Sequence, residues 1–101
     1  MKIRPARGTH DLFGDDIIKY SEIERLVKEF AKLNSFKELR TPIFELTELF
    51  AKPLGEQSDV VLKEMYTFKD RNDELLTLRP EYTTPMIRAA ITNNMLNDLP
   101  L

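Results

Sequence analysis

The sequence predicts an α+β fold, a mostly antiparallel sheet with helices covering one face. Three observations carry that expectation. Apolar residues recur at helical spacing through residues 16–33. Two β-rich runs, Met65-Tyr66-Thr67-Phe68 and Leu75-Leu76-Thr77-Leu78, flank a single polar turn. A second helical pattern then opens with a proline in its first turn.

Taken in order, residues 1–14 read as an extended lead-in that contains Pro5 and the run Arg7-Gly8-Thr9-His10-Asp11. Asp15 is placed to cap the first helix, with Asp16 in its first turn. Ile17, Ile23, Leu26, Val27, Phe30 and Leu33 form its apolar stripe, and Glu24 and Lys28 stand four apart in the favourable order. Asn34-Ser35 stops it, Asn being a good terminal residue. Phe36 to Ile43 reads as a strand. Pro42, which lacks a backbone donor, confines that strand to an edge or ends its ladder. Glu45 to Phe50 reads as a short helix closed before Pro53 and Gly55, and Ser58 can cap a turn that carries Val60, Val61 and Leu62. The hairpin follows, with Lys69 to Glu74 as its tip. Arg79-Pro80-Glu81 breaks the returning strand. Thr83 or Thr84 caps the last helix, whose apolar stripe is Met86, Ile87, Ala90, Ile91 and Met95.

Length and composition set the limits. The chain has 101 residues, 42% of them hydrophobic and 32% charged, which fits one globular domain and argues against wholesale disorder. Charge is even: residues 1–50 carry nine Lys/Arg and nine Asp/Glu, and residues 51–101 carry six and eight, so neither half is a charged tail. A net charge of −2 argues against a general nucleic-acid coat. No apolar run reaches the roughly 20 residues of a membrane span, and Met1-Lys2-Ile3-Arg4-Pro5 leads into no hydrophobic segment, so neither a membrane anchor nor a signal peptide is expected. Without cysteine there are no disulfides, thiolate metal sites or cysteine nucleophiles, and the cytoplasm is the expected compartment. With Gly8, Gly14 and Gly55 the only glycines, no Gly-rich phosphate loop is present.

Little in the bare chemistry points to catalysis. His10 is the one histidine, which fits a solvated residue better than a catalyst or a zinc ligand. Glu45 and Glu48, three apart on an expected helix, can serve acid–base work or hold Mg²⁺, but a solvated helix face is the simpler reading. Met65, Tyr66 and Phe68 read as core rather than a base-stacking surface. The segment that stands out is Leu78-Arg79-Pro80-Glu81-Tyr82-Thr83, where an Arg and a Glu straddle a rigid Pro at a strand-to-helix corner. Glu81 there can accept hydrogen bonds from a ligand's ammonium or imidazole N–H, with the Thr83 hydroxyl beside it. Equally, Glu81 can pair with Arg79 or Arg88, and Thr83 can simply cap the helix.

Several runs taken together resemble the class II aminoacyl-tRNA synthetases, and most closely the histidyl-tRNA synthetases. Arg7-Gly8-Thr9-His10-Asp11-Leu12 is similar to that family's opening motif. Leu39-Arg40-Thr41-Pro42-Ile43-Phe44-Glu45 resembles class II motif 1 with its proline. Thr47-Glu48-Leu49-Phe50, Gly55-Glu56, Lys63-Glu64-Met65-Tyr66-Thr67-Phe68, Asp70-Arg71 and Leu76-Thr77-Leu78-Arg79-Pro80-Glu81 follow in the family's order. Each piece is weak alone; in order over residues 7–88 they are a strong joint signal.

The resemblance implies the first portion of a synthetase catalytic domain: lead-in 1–14, motif 1 region 16–43, hairpin 64–78 and a histidine-site corner at 79–85. It implies that Glu81 holds the α-amino group of histidine with Tyr82 and Thr83 beside it. It places Phe36, Arg40 and Pro42 in a two-fold dimer interface, with Thr9 to Leu12 near the motif 1 region. The family reaction is ATP-dependent activation of histidine, in which Arg and Mg²⁺ meet the phosphoryl charge, followed by transfer to tRNA(His). Two positions depart from the family. Tyr82 stands where a small residue, often Gly, follows the glutamate, and its bulk can pack under the site or crowd it. Ser35 stands where Gly leads into motif 1, so the turn is expected to form without left-handed freedom. Motif 2, motif 3 and the anticodon-binding domain have no counterpart in the 101 residues, so the chain alone is not expected to form the adenylate. A histidine-sensing regulatory paralogue, of the type of the ATP phosphoribosyltransferase regulatory subunit, and a dimerisation module without catalysis are the competing readings. Exposed sheet edges and an uncovered apolar face would also favour self-association.

Overall fold

In a computed structural model of the chain, the described residues are 2–54 and 64–98. The chain divides into two compact units, Met1–Glu38 and Leu39–Leu101.

The first unit consists of the lead-in and helix α1, Gly14–Leu33. The helix starts two residues earlier than the sequence suggests. Phe13 is its N-cap and makes no side-chain cap bond, so Asp15 and Asp16 both lie in the first turn, where the positive end of the helix dipole favours them. The expected Glu24–Lys28 pair gives way to other partners: Arg25 bridges Glu22 and Glu29, and Lys28 lies 3.8 Å from Glu38. None of the residues of α1 is buried, and Tyr20, Ile23, Val27 and Phe30 are all exposed.

The helix ends in a full Schellman motif. The Phe36 N–H donates to the Ala31 carbonyl at 2.9 Å and the Ser35 N–H to the Lys32 carbonyl at 3.1 Å. Such a closure needs a left-handed residue, and Ser35 supplies it at φ 65°. The turn has therefore kept the left-handed geometry without the glycine, at a cost of roughly 1–2 kcal/mol for an L-residue. Part of that would be offset by the larger entropy of glycine in the unfolded chain. Ser35→Gly is accordingly expected to stabilise the chain by up to about 1 kcal/mol. Urea unfolding followed by circular dichroism checks this, and a less stable variant would contradict it.

The second unit is a three-stranded antiparallel sheet with two helices. Strand β1 is Phe44–Leu46, helix α2 Thr47–Leu54, strand β2 Thr67–Lys69, strand β3 Leu75–Leu78 and helix α3 Thr83–Thr92; a 3₁₀ turn, Met95–Asp98, follows. Strand order is β1-β3-β2. The strand expected over Phe36 to Ile43 is irregular instead, and the ladder begins only after Pro42. Helix α2 starts two residues later than expected, because Glu45 belongs to β1, and it runs past Pro53 to Leu54. The turn expected around Ser58, Val60, Val61 and Leu62 lies outside the described residues. The hairpin forms as expected. Its tip is closed by Asp70, whose Oδ1 accepts from the Asn72 N–H at 2.7 Å and the Glu74 N–H at 3.1 Å.

The register places Glu45, Thr77 and Thr67 side by side on one face. This polar face is the covered one. Thr77, fully buried, has the Thr47 hydroxyl of α2 at 2.8 Å and the Thr67 hydroxyl at 3.0 Å. Glu45 of β1, Phe50 of α2, only 3% exposed, and Pro85 and Ala89 of α3 are the other buried residues among those described. The opposite face carries Phe44, Leu46, Phe68 and Leu78, all exposed, with the Phe44 and Phe68 rings edge-to-face at 5.9 Å. Tyr66 and Phe68 are thus on open surface rather than in a core. The expected stripe of α3 is likewise turned outward: Met86, Ile87 and Ile91 are exposed, and the buried positions are the small residues four apart.

Candidate functional site

The strand-to-helix corner at residues 79–83 is where the fold presents polar groups most deliberately. Pro80 ends β3 because it cannot donate to a ladder. Its ring also biases Arg79 away from helical torsions, which holds the exit extended. The Arg79 N–H still donates to the Ile43 carbonyl at 3.0 Å, so the corner remains pinned to the segment that leads into β1.

Glu81 does what Thr83 or Thr84 was expected to do. Its carboxylate accepts from the Thr83 N–H at 2.6 Å and from the Thr84 N–H at 3.1 Å on each oxygen. Tyr82 is the formal N-cap of α3 and makes no side-chain cap bond. The sequence left open a Glu81 paired with Arg79 or Arg88 and one turned to a ligand, and neither arginine bonds it. Arg79 Nη1 donates to the Thr41 and Pro42 carbonyls at 3.0 and 2.8 Å, while Arg88 turns to Glu45 at 2.7 Å. Glu81 therefore keeps its charge without a basic partner among the described residues, in the positive field of a helix N-terminus. The Thr84 side chain does most to hold its carboxyl below the usual carboxylate range; burial opposes this, and the backbone N–H groups of Thr84 and Thr83 add to the lowering.

What results is an exposed, oriented carboxylate that is ionised at neutral pH. Its two oxygens offer about four lone-pair sites, and backbone donors approach from the helix side only, which leaves the solvent side to accept from a ligand ammonium or imidazole N–H. Tyr82 follows it in the chain. At φ −103° and ψ −21° its backbone is ordinary helical, so no glycine is needed there, and the Arg79 guanidinium lies 4.3 Å from the centre of its ring. A cleft of about 420 Å³ opens beside the corner, lined by Ile43, Glu64, Met65, Tyr66, Leu78, Arg79 and Pro80.

The linkage follows from the direction of the Glu81 shift. A carboxyl depressed in the folded state contributes stability above its unfolded value and loses it as pH falls through the folded one. The stability gap between the parent chain and Glu81→Gln should therefore be present at pH 7 and close below the ordinary carboxylate range. Thermal unfolding by circular dichroism from pH 7 to 3 measures this; a gap that persists unchanged at pH 3 would contradict it.

No family model matches the chain. Individual proteins do. It is 54% identical over 90 residues to the histidine–tRNA ligase of Thermosipho africanus, a match covering 89% of this chain and 22% of that protein. To the histidine–tRNA ligase of Staphylococcus haemolyticus it is 50% identical over 93 residues, covering 92% and 22%. The crystal structure of apo S. aureus histidyl-tRNA synthetase matches with a TM-score of 0.81 at 38% identity, over 99% of this chain and 26% of that one. The chain is homologous to the histidine–tRNA ligases. It spans about a fifth of the length of the ligases it matches. A Bacillus halodurans protein described as an ATP phosphoribosyltransferase regulatory subunit/histidyl-tRNA synthetase shares the fold, with a TM-score of 0.75 at 20% identity over 100% of this chain and 26% of that one.

Of the other residues that the ligase resemblance singled out, Phe36 closes the Schellman turn in the first unit and is exposed; Arg40 and Pro42 are exposed in the second unit, just ahead of β1. Glu45 and Glu48 do not share a helix face, since Glu45 is a buried strand residue paired with Arg88 and Glu48 is an exposed residue of α2. His10 is exposed in the lead-in. Among the described residues no group of three or more His, Cys, Asp or Glu side chains could hold a metal. No helix among the described residues is long and apolar enough to cross a membrane. Sequence reasoning missed the Arg79 bonds to Thr41 and Pro42 and the Arg88–Glu45 pair, whose partners are 37 to 43 residues apart and leave no local pattern.

Proposed function

We propose that this chain is part of a histidine–tRNA ligase and supplies the carboxylate that receives the ammonium group of histidine. The observation that carries the reading is Glu81: an exposed carboxylate, ionised and aimed by two backbone amides, inside the run that matches the ligase motif. Thr83 stands one turn position away with an exposed side chain, and Tyr82 flanks it. In this reading the complete enzyme activates histidine with ATP and Mg²⁺ in the cytoplasm and transfers it to tRNA(His). The chain by itself, about a fifth of a ligase, does not form the adenylate. The homodimer belongs to the same reading, with Phe36, Arg40 and Pro42 at its interface. The unburied apolar stripe of α1 favours it, because an amphipathic helix of 20 residues gains most of its stability from a packed partner. Identities near one half with proteins named ligases favour the ligase over the regulatory paralogue, whose counterpart matches at 20%.

The test is an NMR titration of the ¹⁵N-labelled chain with L-histidine, read at the Thr83 and Thr84 amides. Glu81→Gln removes the charge and keeps the shape. A charge-assisted hydrogen bond contributes about 1.5–3 kcal/mol, so histidine should bind about ten- to a hundredfold more weakly. Imidazole-4-propionate, which has the same ring and no ammonium, should bind the two forms alike. Equal histidine affinity in the parent and Glu81→Gln would sink the reading.

A further inference from the structure

Arg79 faces away from the Glu81 carboxylate in its bonding and ties down other parts of the corner. One nitrogen of its guanidinium donates to two consecutive carbonyls, Thr41 at 3.0 Å and Pro42 at 2.8 Å. Its central carbon, Cζ, lies over the Tyr82 ring, 4.3 Å from the ring centre. It is half-buried, and its own N–H is taken by Ile43. The side chain therefore joins three things that chain connectivity leaves independent: the irregular segment before β1, the end of β3, and the residue between Glu81 and the first turn of α3.

We propose that Arg79 and Tyr82 act together as positioning residues for the Glu81 carboxylate, the guanidinium being anchored on the Thr41 and Pro42 carbonyls and the Tyr82 ring stacked against it. The physical reason lies in the torsions around Glu81. Pro80 fixes one side of that residue, whereas Tyr82, with a helical backbone and an otherwise exposed side chain, would be free to swing. Its ring on a guanidinium that is itself tied down removes that freedom. The Thr83 and Thr84 amides then meet the carboxylate in one orientation, with its outer lone pairs turned to solvent. Arginine suits this task better than lysine, because one guanidinium nitrogen bonds both carbonyls while the rest of the delocalised group stays over the ring, whereas a lysine ammonium would have to do both with a single nitrogen. The same contact explains how the corner accommodates Tyr82 where a small residue is usual in the resembling family. The inference rests on the proposed role of Glu81 only for its ligand, not for its geometry.

Two readouts separate the clamp from that role. The first is the acid titration of the Glu81 side-chain carboxyl, followed by ¹³C NMR in the full chain. Tyr82→Ala and Arg79→Lys should move this titration up toward the ordinary carboxylate range, while Tyr82→Phe, which keeps the ring, should retain the depressed value. The second is histidine binding by the amide titration. Loss of a cation–π contact predicts about two- to fivefold weaker binding in Tyr82→Ala. Because the Tyr82 side chain is largely on the surface, its variants test the clamp without emptying the core. A Glu81 titration unchanged in Tyr82→Ala overturns the proposal. A titration that moves in Tyr82→Ala and holds in Tyr82→Phe supports it, even if neither form binds histidine. That last result would count against the histidine reading alone.

Discussion

Arg88→Ala should destabilise the second unit by about 2–3 kcal/mol, a large effect for one side chain on a partly open helix face. Arg88 donates from Nε and Nη2 to Glu45 Oε1 at 3.2 and 2.7 Å, and from Nη1 to the Thr92 hydroxyl at 3.2 Å. Glu45 is only 9% exposed and sits on the covered face of the sheet. Removing the arginine strands a carboxylate where water reaches it poorly, and that penalty, rather than the lost attraction, sets the size of the effect. Arg88 is itself 27% exposed, which is why the estimate lies below that for a fully buried pair. The double variant Glu45→Leu/Arg88→Met should recover most of the loss, because an apolar pair of similar volume strands nothing. Chemical denaturation of the four members of the cycle gives the coupling directly. A coupling near zero would mean that the pair is an ordinary surface contact.

Phe50→Ala should cost about 3–4 kcal/mol, the range for truncating a buried aromatic. Phe50 is one of two buried apolar side chains among the described residues besides Pro85, the other being Ala89. A core of that size leaves little reserve, since small domains hold on the order of 5 kcal/mol in all. The variant is therefore expected to lose the cooperative unfolding transition of the sheet. Dispersion of the Leu76 and Thr77 amide signals reports this. A variant that keeps native dispersion and a midpoint within a few degrees would show that the unit is held by its ladder and threonine hydroxyls rather than by Phe50.

The sequence reveals period well and partnership poorly. Helix α1 was legible because eighteen residues of apolar recurrence allow no other reading, and the hairpin because two β-rich runs enclose a polar turn. The strand expected at Phe36 to Ile43 failed for a reason already present in the residues. Pro42 cannot donate, so pairing starts after it, at Phe44. Which face of the sheet the helices cover was not legible. Alternation separates Glu45, Thr77 and Thr67 from Phe44, Leu46 and Leu78, and hydropathy would bury the second set, yet the first is covered. Only the hydroxyl contacts of Thr77 and the reach of Arg88 to Glu45 explain the choice, and both join residues 10 to 43 positions apart. At the corner, the sequence identified Glu81 as the group to watch. It could not foresee that Glu81 caps the helix while the threonines donate.

The inverted sheet also changes how substitutions at its surface should be judged. In most proteins an exposed position is a permissive one. Here the exposed set includes Phe44, Leu46, Phe68 and Leu78, side chains whose removal would cost this unit little. A mutational scan scored on the folding of the 101 residues alone would rate them as tolerant and rate Thr77 as intolerant. A scan scored on growth of a cell dependent on the gene would reverse that order if another surface rests on those four residues. The two rankings, compared position by position, would map the missing neighbour without its structure ever being determined.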